Sequence, residues 1–88
     1  MASGDSSHAE GSETTASGVA AHAEGTSTQA IGDHSHAQGY RTIATSTAQT
    51  VMGKYNETND NAALIIANGT EEERNNICEI DWGGNGSF

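Results

Sequence analysis

A seven-residue phrase repeats through residues 2–53, and it constrains the fold more than any other feature of the chain. Stepping in sevens from Ala2, one slot reads Ala2, Ala9, Ala16, Ala23, Ala30, Ala37, Ala44 and Val51. Two residues on, the next slot reads Gly4, Gly11, Gly18, Gly25, Gly32, Gly39, Ser46 and Gly53. The slot two before each alanine holds Ser7, Thr14, Ala21, Thr28, Ser35, Thr42 and Gln49. Alanine makes up about one residue in seven of the chain, so chance would put about one alanine on such a register where seven stand. A second period lies over the first. His8, His22 and His36 recur every fourteen residues, each followed two later by Glu10, Glu24 or Gln38. The unit is therefore fourteen residues in two similar halves, the signature of a solenoid.

Each half offers about five residues of period-two alternation, enough for a short strand. Ser7, Ala9 and Gly11 would face one way, His8 and Glu10 the other. The inward set is small everywhere, so the two strands of a coil can lie back to back. Glycine at the end of each half is expected to turn the corner, because it visits positive φ at little cost. About four coils stacked at the inter-strand spacing of ~4.8 Å give a rod roughly 19 Å long. A coiled coil does not fit, since heptads need large apolar residues at a and d. Disorder, which the Gly/Ser/Thr-rich composition would allow, does not need a strict register.

The expected fold is all-β: a parallel β-roll of fourteen residues per coil over 1–53, then a small β tail over 54–88. The coil core is Ala9, Ala16, Ala23, Ala30, Ala37, Ala44 and Val51. At the far end Ser46, Gln49 and Thr50-Val51-Met52 break the phrase, which reads as a cap. In the tail, 54–61 reads as a loop, Ala62 to Ala67 as a strand, and Ile77 to Trp82 as a second strand. Leu64, Ile66, Ile80 and Trp82 are the expected tail core.

Only 33% of the 88 residues are hydrophobic, and alanine buries little area at ~25 cal/mol/Å². A single rod should be marginal, which asks for self-association into a closed assembly. The net charge of −9 excludes a phosphate-gripping role, so no nucleic-acid partner is expected. No run reaches the ~20 apolar residues of a membrane span, and no membrane insertion is expected. The one cysteine, Cys78, allows no intrachain disulfide.

The repeat resembles the head repeat of YadA-like trimeric adhesins, a left-handed parallel β-roll with fourteen residues per coil. There the phrase is close to Asn-Ser-Val-Ala-Ile-Gly-x-x-Ser; here it reads Ser7-His8-Ala9-Glu10-Gly11 and its copies, with His and Glu where that family often has Val and Ile. The resemblance covers residues 2–53, about 60% of the chain. Gly53-Lys54-Tyr55-Asn56, Ala63 to Thr70, Arg74-Asn75-Asn76 and Asp81-Trp82 are similar to a segment of phage and prophage tail fibres. There Ser-His-Ala-Glu-Gly arrays precede such a stretch, and an auto-cleaving chaperone domain often follows. The resemblance implies a homotrimeric, structural and adhesive fibre segment of the virion, with a host cell-surface receptor or glycan as partner. A bacterial surface adhesin head is the alternative.

The histidines carry the only chemical pattern. His8, His22 and His36 should stack beside Glu10, Glu24 and Gln38, with imidazoles hydrogen-bonded to carboxylates. This half keeps one phrase while the outward slots of the other half vary (Thr15/Ser17, Gln29/Ile31, Ile43/Thr45), so the ladder is expected to be the inter-chain face. His8, His22 and His36 are weak metal candidates, with His34 as a fourth: imidazole is a common ligand, but one chain lacks the usual ligand spacing. No cofactor and no enzymatic activity are expected, because a repeated pair is architecture and active sites are singular. Arg74, after Glu71, Glu72 and Glu73, reads as half of a local or inter-chain ion pair.

Overall fold

The structure is a computed structural model that describes residues 1–87. Phe88, the last residue of the 54–88 segment, lies outside the described residues. The described chain is all-β, with ten strands and no helix. Four five-residue strands, β1 (His8–Ser12), β3 (His22–Thr26), β5 (His36–Tyr40) and β7 (Thr50–Lys54), alternate with three two-residue strands, β2 (Thr15–Ala16), β4 (Gln29–Ala30) and β6 (Ile43–Ala44). The five-residue strands stack in parallel, and the two-residue strands form a second parallel sheet of order β2-β4-β6. Each step between paired residues is fourteen: His8 pairs with His22, His22 with His36, and Thr15 with Gln29. This is a β-solenoid of about four turns, in which one fourteen-residue unit makes one coil.

Small inward residues let the two sheets meet. Ala16, Ala23, Ala30, Ala37 and Ala44 are fully buried, while Ala9, on the outermost five-residue strand, is half-buried. The column that begins at Ala9 grows to Val51 and then Ile65, both fully buried, as the facing sheet ends. Buried hydroxyls are satisfied locally. Thr28 Oγ1 donates to the Glu24 carbonyl at 3.1 Å, Thr42 Oγ1 to that of Gln38 at 3.0 Å, and Ser35 Oγ to that of Gly32 at 2.6 Å.

The corners are not turned by glycine alone. The long-strand glycines Gly11, Gly25, Gly39 and Gly53 take the expected positive φ, from 103 to 107°, and a left-handed non-glycine residue recurs every seven positions: Ser6, Glu13, Ala20, Ser27, His34, Arg41, Ala48 and Tyr55, with φ from 48 to 62°. Each lies two residues after a glycine slot. Such a conformation costs of order 1 kcal/mol for a residue with a Cβ. It persists because the corner N–H is used: Ala20 N donates to Asp5 O, His34 N to Val19 O and Ala48 N to Asp33 O, all at 2.8 Å. The glycines also supply room. A Cβ on Gly32, whose φ is not positive, would stand 2.3 Å from the Ser46 carbonyl oxygen of the next coil. No further strand stacks over Ser46, and there a side chain is accommodated.

The tail departs from expectation in its phase. β8 (Ala62–Asn68) does not leave the roll: it pairs in parallel with β7 at the same fourteen-residue step, Val51 against Ile65. Ile65 therefore points inward at 0% exposure, whereas Leu64 and Ile66 are only half-buried on the outer side. β9 (Asn76–Asp81) then runs antiparallel to β8, placing Leu64 opposite Ile80, and β10 (Gly86–Ser87) closes antiparallel to β9. Ile80 is half-buried and Trp82 is 52% exposed. Within one chain the tail's share of the core is thus Ala62, Ile65 and Ala67, because the roll's register sets which face of β8 is inward, while Cys78 is buried apart from it, opposite Ile66. Trp82 instead lies on the surface, its Nε1 donating to the Asp60 carbonyl at 3.1 Å.

Candidate functional site

The fourteen-residue register brings the His and Glu side chains into adjoining columns on the outer face of the long sheet. Alanine between them points inward, so both neighbours must point out. The imidazoles of His8 and His22 stack with centroids 4.7 Å apart and planes 23° apart, and those of His22 and His36 lie 4.6 Å apart at 31°. Beside them Glu10 pairs with Glu24, and Glu24 with Gln38. Above His36 the column continues as Thr50 and Leu64, so the polar ladder has three rungs.

Each carboxylate sits between two imidazoles. Glu10 Oε2 lies 3.7 Å from His8 Nε2, and its Oε1 lies 3.8 Å from His22 Nε2. Glu24 Oε2 lies 3.8 Å from His22 Nε2, and its Oε1 accepts from His36 Nε2 at 3.2 Å. The His36 hydrogen bond holds the Glu24 carboxyl below its ordinary range. Partial burial opposes that shift, and the positive potential of His22 and His36 adds to it. His22 is different. Its Nε2 is shielded from solvent, yet it has no hydrogen-bond partner. The two carboxylates that flank it stand beyond hydrogen-bond reach.

The ladder brings His8, His22, His36, Glu10, Glu24 and Gln38 together, while His34 sits apart on an exposed corner. Arg74 forms no ion pair among the described residues. Its Nη1 donates to the carbonyls of Arg41 at 3.0 Å and Asn56 at 3.2 Å, and the guanidinium lies 5.5 Å from the Tyr55 ring centroid. This ties the 71–76 stretch to the last corners of the roll, since Tyr55 is itself buried and meets Tyr40 edge-on at 5.3 Å.

Two residues end the short sheet: Gln49, which the sequence places in the cap, and Asn56, which it places only in the 54–61 loop. Asn56 is fully buried; its Oδ1 accepts from Ile43 N at 2.7 Å and its Nδ2 donates to Ile43 O at 3.0 Å. In the coils below, the equivalent N–H groups, of Thr15 and Gln29, donate to the backbone carbonyls of Thr28 and Thr42. The Asn56 amide thus replaces the missing strand. Gln49 does the same one half-coil earlier. Its Oε1 accepts from Thr45 N at 3.0 Å, and its Nε2 donates to the carbonyls of Asn59 at 2.7 Å and Ala62 at 2.8 Å. The signal was present: the Ser/Thr slot, followed in sevens, ends Thr42, Gln49, Asn56.

Several large apolar side chains stand on the outer surface. Val19, Ile31, Tyr40, Ile77 and Trp82 are each between 42% and 52% exposed. Comparison with family models, with curated proteins and with solved structures finds no match to this chain.

Proposed function

We propose that the chain is a structural and adhesive segment of a homotrimeric fibre, a phage tail fibre or tail spike, which extends the fibre and contacts the host surface. The observation that carries this reading is the inversion of size across the roll. Inside the first three coils nothing apolar larger than alanine is buried, while valine, isoleucine and tyrosine stand outside. A chain that spends its large apolar groups on its surface gains most of its burial from identical neighbours. The fourteen-residue coil and the Ser-His-Ala-Glu-Gly phrase favour the left-handed YadA-like roll for that fibre. The constancy of the ladder half, against the varied outward slots of β2, β4 and β6, favours the His/Glu face as the inter-chain face.

Light scattering on the purified 88-residue chain tests this directly, with circular dichroism on the same sample. The expected result is a β spectrum at about 27 kDa, three times 9.0 kDa. A folded monomer of 9.0 kDa would overturn the trimer and with it the fibre.

A further inference from the structure

We propose that His22, Glu24 and His36 form a binding site for one Zn²⁺ ion on each chain. The three side chains come from adjacent parallel strands, β3 and β5, so the backbone ladder fixes their spacing. One ligand atom from each lies within 4.8 Å of the other two. Zn²⁺ holds imidazole nitrogen at about 2.0–2.1 Å and carboxylate oxygen at about 2.0–2.2 Å, which places tetrahedral ligands roughly 3.3 Å apart. Glu24 Oε1 and His36 Nε2 are 3.2 Å apart, and Glu24 Oε2 and His22 Nε2 are 3.8 Å apart. Small rotations of χ close the rest.

The shielded, unpartnered Nε2 of His22 is the independent sign that a ligand belongs here. A buried polar nitrogen without a partner carries a desolvation cost, and a cation between His22, Glu24 and His36 removes it. Two imidazoles and one carboxylate suit Zn²⁺ and leave a fourth position for water. A second triplet, His8, Glu10 and His22, is more exposed and shares the same His22 nitrogen, so the two sites compete and one ion binds per chain. Higher on the ladder, Gln38 replaces the carboxylate and the set ends. The site uses residues of one chain, so it holds whether the ladder meets solvent or a neighbour.

The test is isothermal titration of Zn²⁺ into the whole chain and into Glu24→Gln, His36→Gln, His8→Gln and His34→Gln, each checked by circular dichroism. Loss of even an outer partner of a metal ligand costs about 10–100-fold in affinity. Glu24→Gln and His36→Gln are therefore expected to weaken binding at least about tenfold, and His34→Gln to leave it unchanged. Absence of saturable binding would overturn the site, as would equal losses in His34→Gln or a greater loss in His8→Gln than in His36→Gln. If Glu24→Gln or His36→Gln fails to fold, Co²⁺ on the unaltered chain decides: an intense visible spectrum of tetrahedral type supports the site, and its absence refutes it. Light scattering on the same samples reports the trimer separately.

Discussion

The two sheets of the roll share every corner, yet one stops after three strands and the other runs on through seven. The short sheet ends at β6, where Gln49 and Asn56 turn their side-chain amides onto the backbone groups that a further strand would take. The long sheet has no such device on β7. β8 continues it in register, and only then does the antiparallel β9 turn the chain back. Continuation needs a glycine where the next coil crosses; termination needs an amide where the next strand is missing. An open edge is a template for another chain, and two buried amides remove that edge at little cost in residues.

The largest expected effect comes from blocking continuation. Gly32→Ala drives a Cβ against the Ser46 backbone, whereas Ser46→Ala, in the same slot one coil later, meets no further strand. Overpacking costs about 1–3 kcal/mol and occasionally more, and against rigid backbone a core of alanines cannot absorb it. Gly32→Ala is expected to lose the cooperative β spectrum, and Ser46→Ala to melt within a few degrees of the parent. Equal behaviour of the two would show that glycine serves the corner rather than the crossing.

The contrast between glycine and corner marks where the sequence was legible. The period, the parallel register, the alanine interior and the stacking of His8, His22 and His36 all follow from counting in fourteens. The corners did not, because Ser6, Glu13, Ala20 and Arg41 share no chemistry; only backbone geometry unites them. The tail was legible as strands but not in phase. Ala63 to Ala67 is apolar on both faces, so alternation cannot choose between Leu64/Ile66 and Ile65. Stepping fourteen from Val51 does choose, and it gives Ile65. Size misled at Trp82, where a ring suited to a core is held at the surface by one hydrogen bond from its indole. At the ladder, residue spacing placed the columns but could not show that one imidazole nitrogen is left without a partner.

Breaking the terminator should cost less than blocking the crossing. Asn56→Ala leaves the Ile43 N–H and carbonyl unpaired in a partly buried place, a loss of about 1–3 kcal/mol. Asn56→Asp sharpens the reading: it keeps the acceptor for Ile43 N, removes the donor to Ile43 O and sets a charge in a dry site. If Asn56 caps the sheet, both variants melt well below the parent by circular dichroism. If it only shapes a loop, Asp, a good turn former, leaves the melting temperature in place.

The smallest effect lies at the far end of the long sheet, where β9 turns into β10. Asp81 Oδ1 accepts from Gly83 N and Asn85 N, each at 2.9 Å, and Asn85 Nδ2 reaches Oδ2 at 3.4 Å. The Asn85 backbone hydrogen bond is the chief reason the Asp81 carboxyl sits below its ordinary range, with partial burial opposing. A carboxyl lowered in the folded state stabilises the fold above its unfolded value of about 3.9, and that contribution fades as pH falls through the lower folded value. Asp81→Asn keeps one oxygen acceptor and loses the charge and the second oxygen, which takes only the longer 3.4 Å contact from Asn85 Nδ2. Its melting temperature should therefore fall slightly below the parent near neutral pH, and the gap should close under acid conditions. A gap that persists after Asp81 is protonated would mean that the second carboxyl oxygen, rather than the charge, holds the turn. The end of the long sheet would then be a built terminator like the amides of the short one.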